Sequence, residues 1–114
     1  MSNFTLWSTS ELLVLFEAIQ HCQKTNQNDW ECVSTLMKQT MNETGMQMTE
    51  KYNGFGCAAQ YNSFDIKHRD DAARKEMTIV DYAIAHLRKE RIRELEVEIR
   101  EREAHIFELK NSLF

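Results

Sequence analysis

The sequence predicts an all-α protein: three short helices gathered around aromatic side chains, then a long helix of coiled-coil type. Three observations predict it. The 114 residues contain no proline and only three glycines, whereas a sandwich or barrel needs many turns. Apolar residues recur at helical spacing through the first half. From Met77 onward nothing breaks a helix, and aliphatic residues return every seventh position. A chain of this length has room for one small core and an extension.

The first helix opens at "STSE". Ser8 and Glu11 have the spacing of a capping box, in which the hydroxyl accepts from an amide three residues on and the carboxylate reaches back. Leu12, Leu13, Leu15, Phe16 and Ile19 then recur at helical spacing up to about Cys22. "QKTNQND" reads as a loop whose Asn28 or Asp29 caps the second helix. That helix carries Trp30, Val33, Leu36 and Met37 on one face. "QTMNETGMQMTE" reads as a longer loop. Gly54 and Gly56 belong in the first turn of the third helix, with Asn53 as its cap. Cys57, Ala58, Tyr61 and Phe64 fall on its adjoining faces.

"DIKHRDDAARKE", residues 65–76, mixes charges of both signs and reads as a charged, partly helical connector. Asp70 and Asp71 interrupt its basic residues, which excludes a nuclear-import signal there. The expected organisation is a three-helix domain over 1–65, a connector over 66–76 and a long helix over 77–114. At 1.5 Å per residue that helix spans roughly 50 Å. Ile92, Ile99, Ile106 and Leu113 occupy heptad position a, and Leu95, Arg102 and Leu109 occupy d. Arg102 is the cation in an otherwise aliphatic seam, and it favours a partner with an acid opposite. Glu96 with Arg100 and Glu98 with Arg102 stand in the favourable i,i+4 order. Val80, Ile84 and Leu87 do not keep this register and are expected to pack elsewhere, back on the small domain. Val97, Phe107 and Phe114 lie off the seam and suggest a helix contacted on two sides.

Charge and composition exclude several classes. The net charge is −4 and the pI near 5.6, unlike a protein built on phosphate contacts. Residues 1–64 hold three lysines against six acids, and residues 52–64 hold no charge at all. Major-groove reading needs Lys or Arg for phosphates and guanine edges, so direct DNA binding is not expected. Cys22, Cys32 and Cys57 form no Cys-x-x-Cys pair and read as buried or free thiols in a reducing compartment. His21, His68, His86 and His105 are dispersed, and no phosphate loop is present, so neither an enzyme nor a metal or cofactor site is expected. No apolar run reaches membrane-spanning length, and "MSNFTLWSTSE" lacks a secretory pattern.

Trp7, Phe16, Trp30, Leu36 and then Cys57, Gln60 and Tyr61 in "CAAQY" resemble the core and third-helix signature of the SANT/Myb-like repeat. Tyr61 stands where such repeats usually carry Trp, and the loop before the third helix widens the usual aromatic spacing. The resemblance implies a three-helix SANT domain that contacts proteins or histone tails, for which an acidic surface is suited. The order of this domain and "TIVDYAIAHLRKERIRELEVEI" resembles the amino-terminal region of the bromodomain-containing protein eight family. That family implies a nuclear, non-catalytic chromatin regulator: a subunit of a MYST-class histone acetyltransferase complex. Its acetyl-lysine-reading bromodomain has no counterpart in these residues, which read as a fragment or a short relative. The implied partner-binding helix comprises Val80, Ile84, Leu87, Ile92, Leu95, Ile99, Arg102, Ile106 and Leu109, pairing with itself or with another subunit. The alternative is a homodimeric Myb-like DNA-binding transcription regulator.

Overall fold

The computed structural model describes residues 7–27, 29–43 and 50–113. Among them every regular element is helical: α1 (Thr9–Lys24), α2 (Trp30–Glu43), a 3-10 turn (Glu50–Tyr52), α3 (Gly54–Arg74) and α4 (Ile79–Leu113). The all-α class is therefore observed. The helix starts follow from local chemistry. Ser8 Oγ accepts from the Glu11 amide at 3.2 Å, and Glu11 Oε1 accepts from the Ser8 amide at 3.0 Å. Asp29 caps α2 by accepting from the Cys32 amide at 2.7 Å; Asn28, the other candidate, lies outside the described residues. Asn53 caps α3 through the Gly56 amide at 2.7 Å, and Thr78 caps α4 through the Asp81 amide at 3.1 Å.

Two helices end in a left-handed residue that is not glycine. After α1, Asn26 has φ 57°, and the Gln27 and Asn26 amides reach back to the Cys22 and Gln23 carbonyls. After α3, Glu76 has φ 54°, and the Met77 and Glu76 amides bond the Ala72 and Ala73 carbonyls. Both are Schellman closures, which satisfy carbonyls that a helix end leaves open. The charged connector expected over 66–76 is thus corrected. Residues 66–74 are the second half of α3, and the break is confined to Lys75–Thr78.

Helix α1 lies at the centre, with α2 and α3 on one side and α4 antiparallel along another. Thr9 donates to Glu94 Oε1 at 2.5 Å, Arg88 pairs with Glu17 at 3.4 Å, and Gln20 donates to Asp81 at 3.4 Å. Leu15, Phe16, Met37, Cys57 and Ala83 are inaccessible to solvent. Val80, Ile84 and Leu87 are buried in the same core. The segment read as a loop from Gln39 is helical as far as Glu43, with Met41 buried there, while Met46 and Met48 lie outside the described residues. The three thiols are unbridged, and Cys22 and Cys32 bring their Sγ atoms to 2.7 Å where α1 meets α2. Burial, reinforced by Cys32, pushes the Cys22 thiol up to about 12, and burial raises Cys57 to about 11.

The two glycines of α3 differ in what surrounds them. A Cβ on Gly56 would meet the Lys51 carbonyl oxygen at 2.3 Å, whereas one on Gly54 would sit 3.4 Å from Trp30 Cβ. Gly56→Ala is therefore expected to destabilise the chain by about 1–3 kcal/mol, and Gly54→Ala to be neutral or stabilising by up to about 1 kcal/mol. Glu76→Gly relieves the left-handed backbone cost and is expected to stabilise by about 1 kcal/mol. Denaturant titration of the three variants reads all of these.

Candidate protein-interaction surfaces

The residues singled out in the first three helices turn inward. Trp7 is buried and meets Tyr52 edge-on at 5.3 Å between ring centroids. Phe16 packs between Phe64 and Tyr61, at 4.9 and 5.9 Å. Trp30 is half-buried on the rim and contacts Tyr61 at 5.6 Å, and Leu36 is half-buried beside the core. Cys57 and Gln60 are buried and Tyr61 half-buried, so these residues of α3 help build the interior.

Glu11, whose spacing marked it as half of a capping box, is only 6% exposed. Its carboxylate accepts from the Ser8 amide and from the Tyr52 hydroxyl, the latter at 2.5 Å, and meets Lys51 Nζ at 2.6 Å. Burial by itself would raise its pKa. The hydrogen bonds from Lys51, Ser8 and Tyr52 outweigh burial and hold it below the usual carboxylate range. The capping-box spacing was the sequence signal for one of these contacts; nothing local pointed to the other two, forty residues away.

The outward face of α3 presents Phe55 and Ile66, both well exposed. The extension to Arg74 adds Lys67, Arg69 and Arg74 to this helix, but also Asp65, Asp70 and Asp71. Arg69 pairs with Asp65 at 3.2 Å and Arg74 with Asp71 at 3.6 Å. The longer helix therefore acquires charges without acquiring a net positive face.

Helix α4 divides in two. Its core stripe, Val80, Ile84 and Leu87, ends with Leu87 at 4% exposure and is followed on the same side by Arg91, Glu94 and Glu98. Arg91 bridges Glu94 at 3.2 Å and Glu98 at 3.9 Å. The aliphatic seam starts one residue further round, about 100° away, with Ile92 57% exposed. Val80, Ile84 and Leu87 are thus corrected from partner-binding residues to residues of this chain's own core. Ile92, Leu95, Ile99, Arg102, Ile106 and Leu109 are exposed. Helix α1 covers α4 only as far as Glu94, where Thr9 bonds it. Every residue from Leu95 to Leu113 is exposed, a length of roughly 28 Å at the helical rise. The expected pairs Glu96–Arg100 and Glu98–Arg102 do not form. Among the described residues, no ion pair involves Arg102. Val97 and Phe107 are exposed off the seam, and Phe114 lies outside the described residues.

One polar cluster lies under this arrangement. A cleft of about 220 Å³ between the start of α1, α3 and α4 is lined by Trp7, Gln60, His68, His86 and Glu90, among others. The His68 and His86 rings are 5.0 Å apart. His68 Nδ1 is buried without a hydrogen bond; Asp71 stands 4.0 Å from it on α3, while Glu90 lies 3.9 Å from His86 on α4. Burial lowers the His68 pKa, and His86 and Lys67 lower it further against Asp71 and Glu90. No group of three His, Cys, Asp or Glu among the described residues could hold a metal ion, and no described helix is long and apolar enough to cross a membrane.

Two acid-side losses of stability follow, with opposite histories. His68 takes its proton more readily when unfolded, so stability is full above its ordinary 6.5. It declines as pH falls from there through the lowered native value. Glu11 contributes fully above its ordinary 4.5, and that contribution is lost as pH falls through its lowered native value. Unfolding midpoints measured from pH 8 to pH 3 are expected to show both declines. His68→Gln should remove the first and Glu11→Gln the second. Neither a protein family, nor a curated protein, nor a solved structure matches this chain.

Proposed function

We propose that this chain is a non-catalytic assembly subunit that docks on partner proteins through the aliphatic seam of α4. The observation that carries the reading is the uncovered stretch from Leu95 to Leu113, in which Leu95, Ile99, Ile106, Leu109 and Leu113 stand exposed at heptad spacing. A row of this kind is the surface that a second helix covers in a coiled coil or multi-helix assembly.

The residues shared with SANT/Myb-like repeats and with the amino-terminal region of bromodomain-containing protein eight supply the setting. On that resemblance the protein acts in the nucleus as a chromatin and transcription regulator, within a MYST-class complex that acetylates nucleosomes. Its first three helices then contact protein or a histone tail. Two features support protein over DNA as the partner of α3. Its signature residues are spent on the core, and its arginines are paired with aspartates on the same helix.

The test is affinity purification of the tagged chain from nuclear extract at moderate salt, beside the same chain carrying Ile99→Glu. The expected result is stoichiometric recovery of acetyltransferase-complex subunits with the first and at least tenfold less with the second. Circular dichroism of the two should agree, because Ile99 touches nothing in this chain's core. Recovery of the chain alone as a stable dimer that binds duplex DNA with steep salt dependence would replace this reading by the homodimeric DNA-binding alternative.

A further inference from the structure

The α4 seam carries a charge pattern that selects its occupant. Position d of the second heptad is Arg102, exposed and without an ion pair among the described residues. The positions that flank a coiled-coil seam are e and g. Here they are Arg91, Glu96, Glu98, Glu103, His105, Lys110 and Ser112, so the flanks are acidic at the centre and basic toward the ends. Glu96 and Glu103 are exposed and make no ion pair among the described residues, and Glu98 is engaged only by the long 3.9 Å contact with Arg91.

A second copy of the chain fits this surface badly in either orientation. In a parallel pair each g residue faces the e residue five places on in the other helix. Glu98 then faces Glu103 twice and Arg102 faces Arg102 inside the seam, while Arg91, which would face Glu96, is already bridged to Glu94 and Glu98 of its own helix. In an antiparallel pair, a faces d and e faces e. Aligning Ile99 with Arg102 keeps the aliphatic layers together but sets Glu96 near Glu103 twice and seals two guanidinium groups against isoleucines. Like charges at such positions destabilise pairing, and a buried cation without a partner does so more strongly.

We propose that the seam takes a helix from a different protein: one with aliphatic a and d positions, an acid opposite Arg102, and basic flanks opposite Glu96, Glu98 and Glu103. Such a helix forms a charge-assisted pair with a guanidinium that this chain leaves unengaged. It also meets the acidic flanks with lysines or arginines that carry their stems across the seam edge. The proposal rests on the docking reading of α4 and adds to it the chemistry of the partner and the rejection of self.

Two synthetic helices of about four heptads test it against the full chain. Both carry Ile at a and Leu at d. The first has Glu opposite Arg102 and Lys opposite Glu96, Glu98 and Glu103; the second has the opposite charge at each of these four places. By fluorescence anisotropy at low salt the first is expected to bind at least about tenfold more tightly, and the gap to narrow as salt is raised. The full chain is expected to sediment as a monomer, and Arg102→Leu, which restores an aliphatic d layer, to dimerise. Equal binding of the two helices, abolished alike by Ile99→Glu, would overturn charge selection while leaving docking intact. Binding indifferent to Ile99→Glu, or no binding of either helix, would overturn both. A wild-type chain that already dimerises as tightly as the Arg102→Leu chain would overturn the rejection of self.

Discussion

Much of this structure hangs on one buried carboxylate and the tyrosine that donates to it. Glu11 at the first turn of α1 receives the Tyr52 hydroxyl and the Lys51 ammonium from a 3-10 turn some forty residues later. The other end of Tyr52 is equally committed. Its carbonyl accepts from Ser34 Oγ on α2 at 2.6 Å and from Cys57 Sγ on α3 at 3.5 Å, and its ring meets Trp7. Four segments are therefore registered against one residue. A buried carboxylate is costly unless its lone pairs are satisfied, and removal of any donor leaves that cost uncovered. Gly56 belongs to the same constraint, because only a residue without Cβ lets α3 begin so close to the Lys51 carbonyl.

The fourth helix is where folding and interaction meet. Its first nine residues complete the core that α1 began, the next seven still run beside α1 up to the Thr9–Glu94 bond, and the remainder runs past its end. The change of role is written in the side chains. On the core side the stripe passes from Val80, Ile84 and Leu87 to Arg91, Glu94 and Glu98, so burial stops where the hydrophobic stripe stops. The aliphatic residues that resume at Ile92 face another way and meet no core surface among the described residues. A purely structural helix would have ended with its core stripe; this one continues from Leu87 to Leu113, about another seven turns.

Much of this was legible in the sequence, and what was not has physical causes. Caps at Ser8, Asp29 and Asn53 were readable because they are contacts over three residues. The inward role of Phe16 and Cys57 followed from helical spacing, and that of Trp7 was implied by the resemblance to SANT/Myb-like repeats. The off-register packing of Val80, Ile84 and Leu87 followed from the five-residue step between Leu87 and Ile92. The end of α3 was misplaced because the usual punctuation is missing. A glutamate, Glu76, occupies the left-handed position where glycine is the common signal. The burial of Glu11 was hidden for a different reason: its partners come from beyond a long loop, and no local pattern encodes them. At the candidate seam the heptad positions were visible, and what the sequence left open was the partner of Val80, Ile84 and Leu87: the broken register separated them from the seam, but only the fold brings α1 across them.

The arrangement also explains how a helix with no covering can still be ready to bind. Beyond Glu98 α4 has no side-chain ion pair among the described residues, and an isolated helix of that length is marginal in water. Most of the difficulty, however, lies in forming the first turn, and the packed half of α4 has already formed it. The overhang need only propagate, one hydrogen bond per residue, through a segment rich in Glu, Leu and Arg and free of Gly and Pro. A partner arriving at the seam then meets a surface whose ordering cost has been met in part by the fold of the small core, and more of the contact free energy remains for affinity and for choosing between partners. The compact bundle, on this view, acts chiefly as the nucleus and anchor of the helix that projects from it.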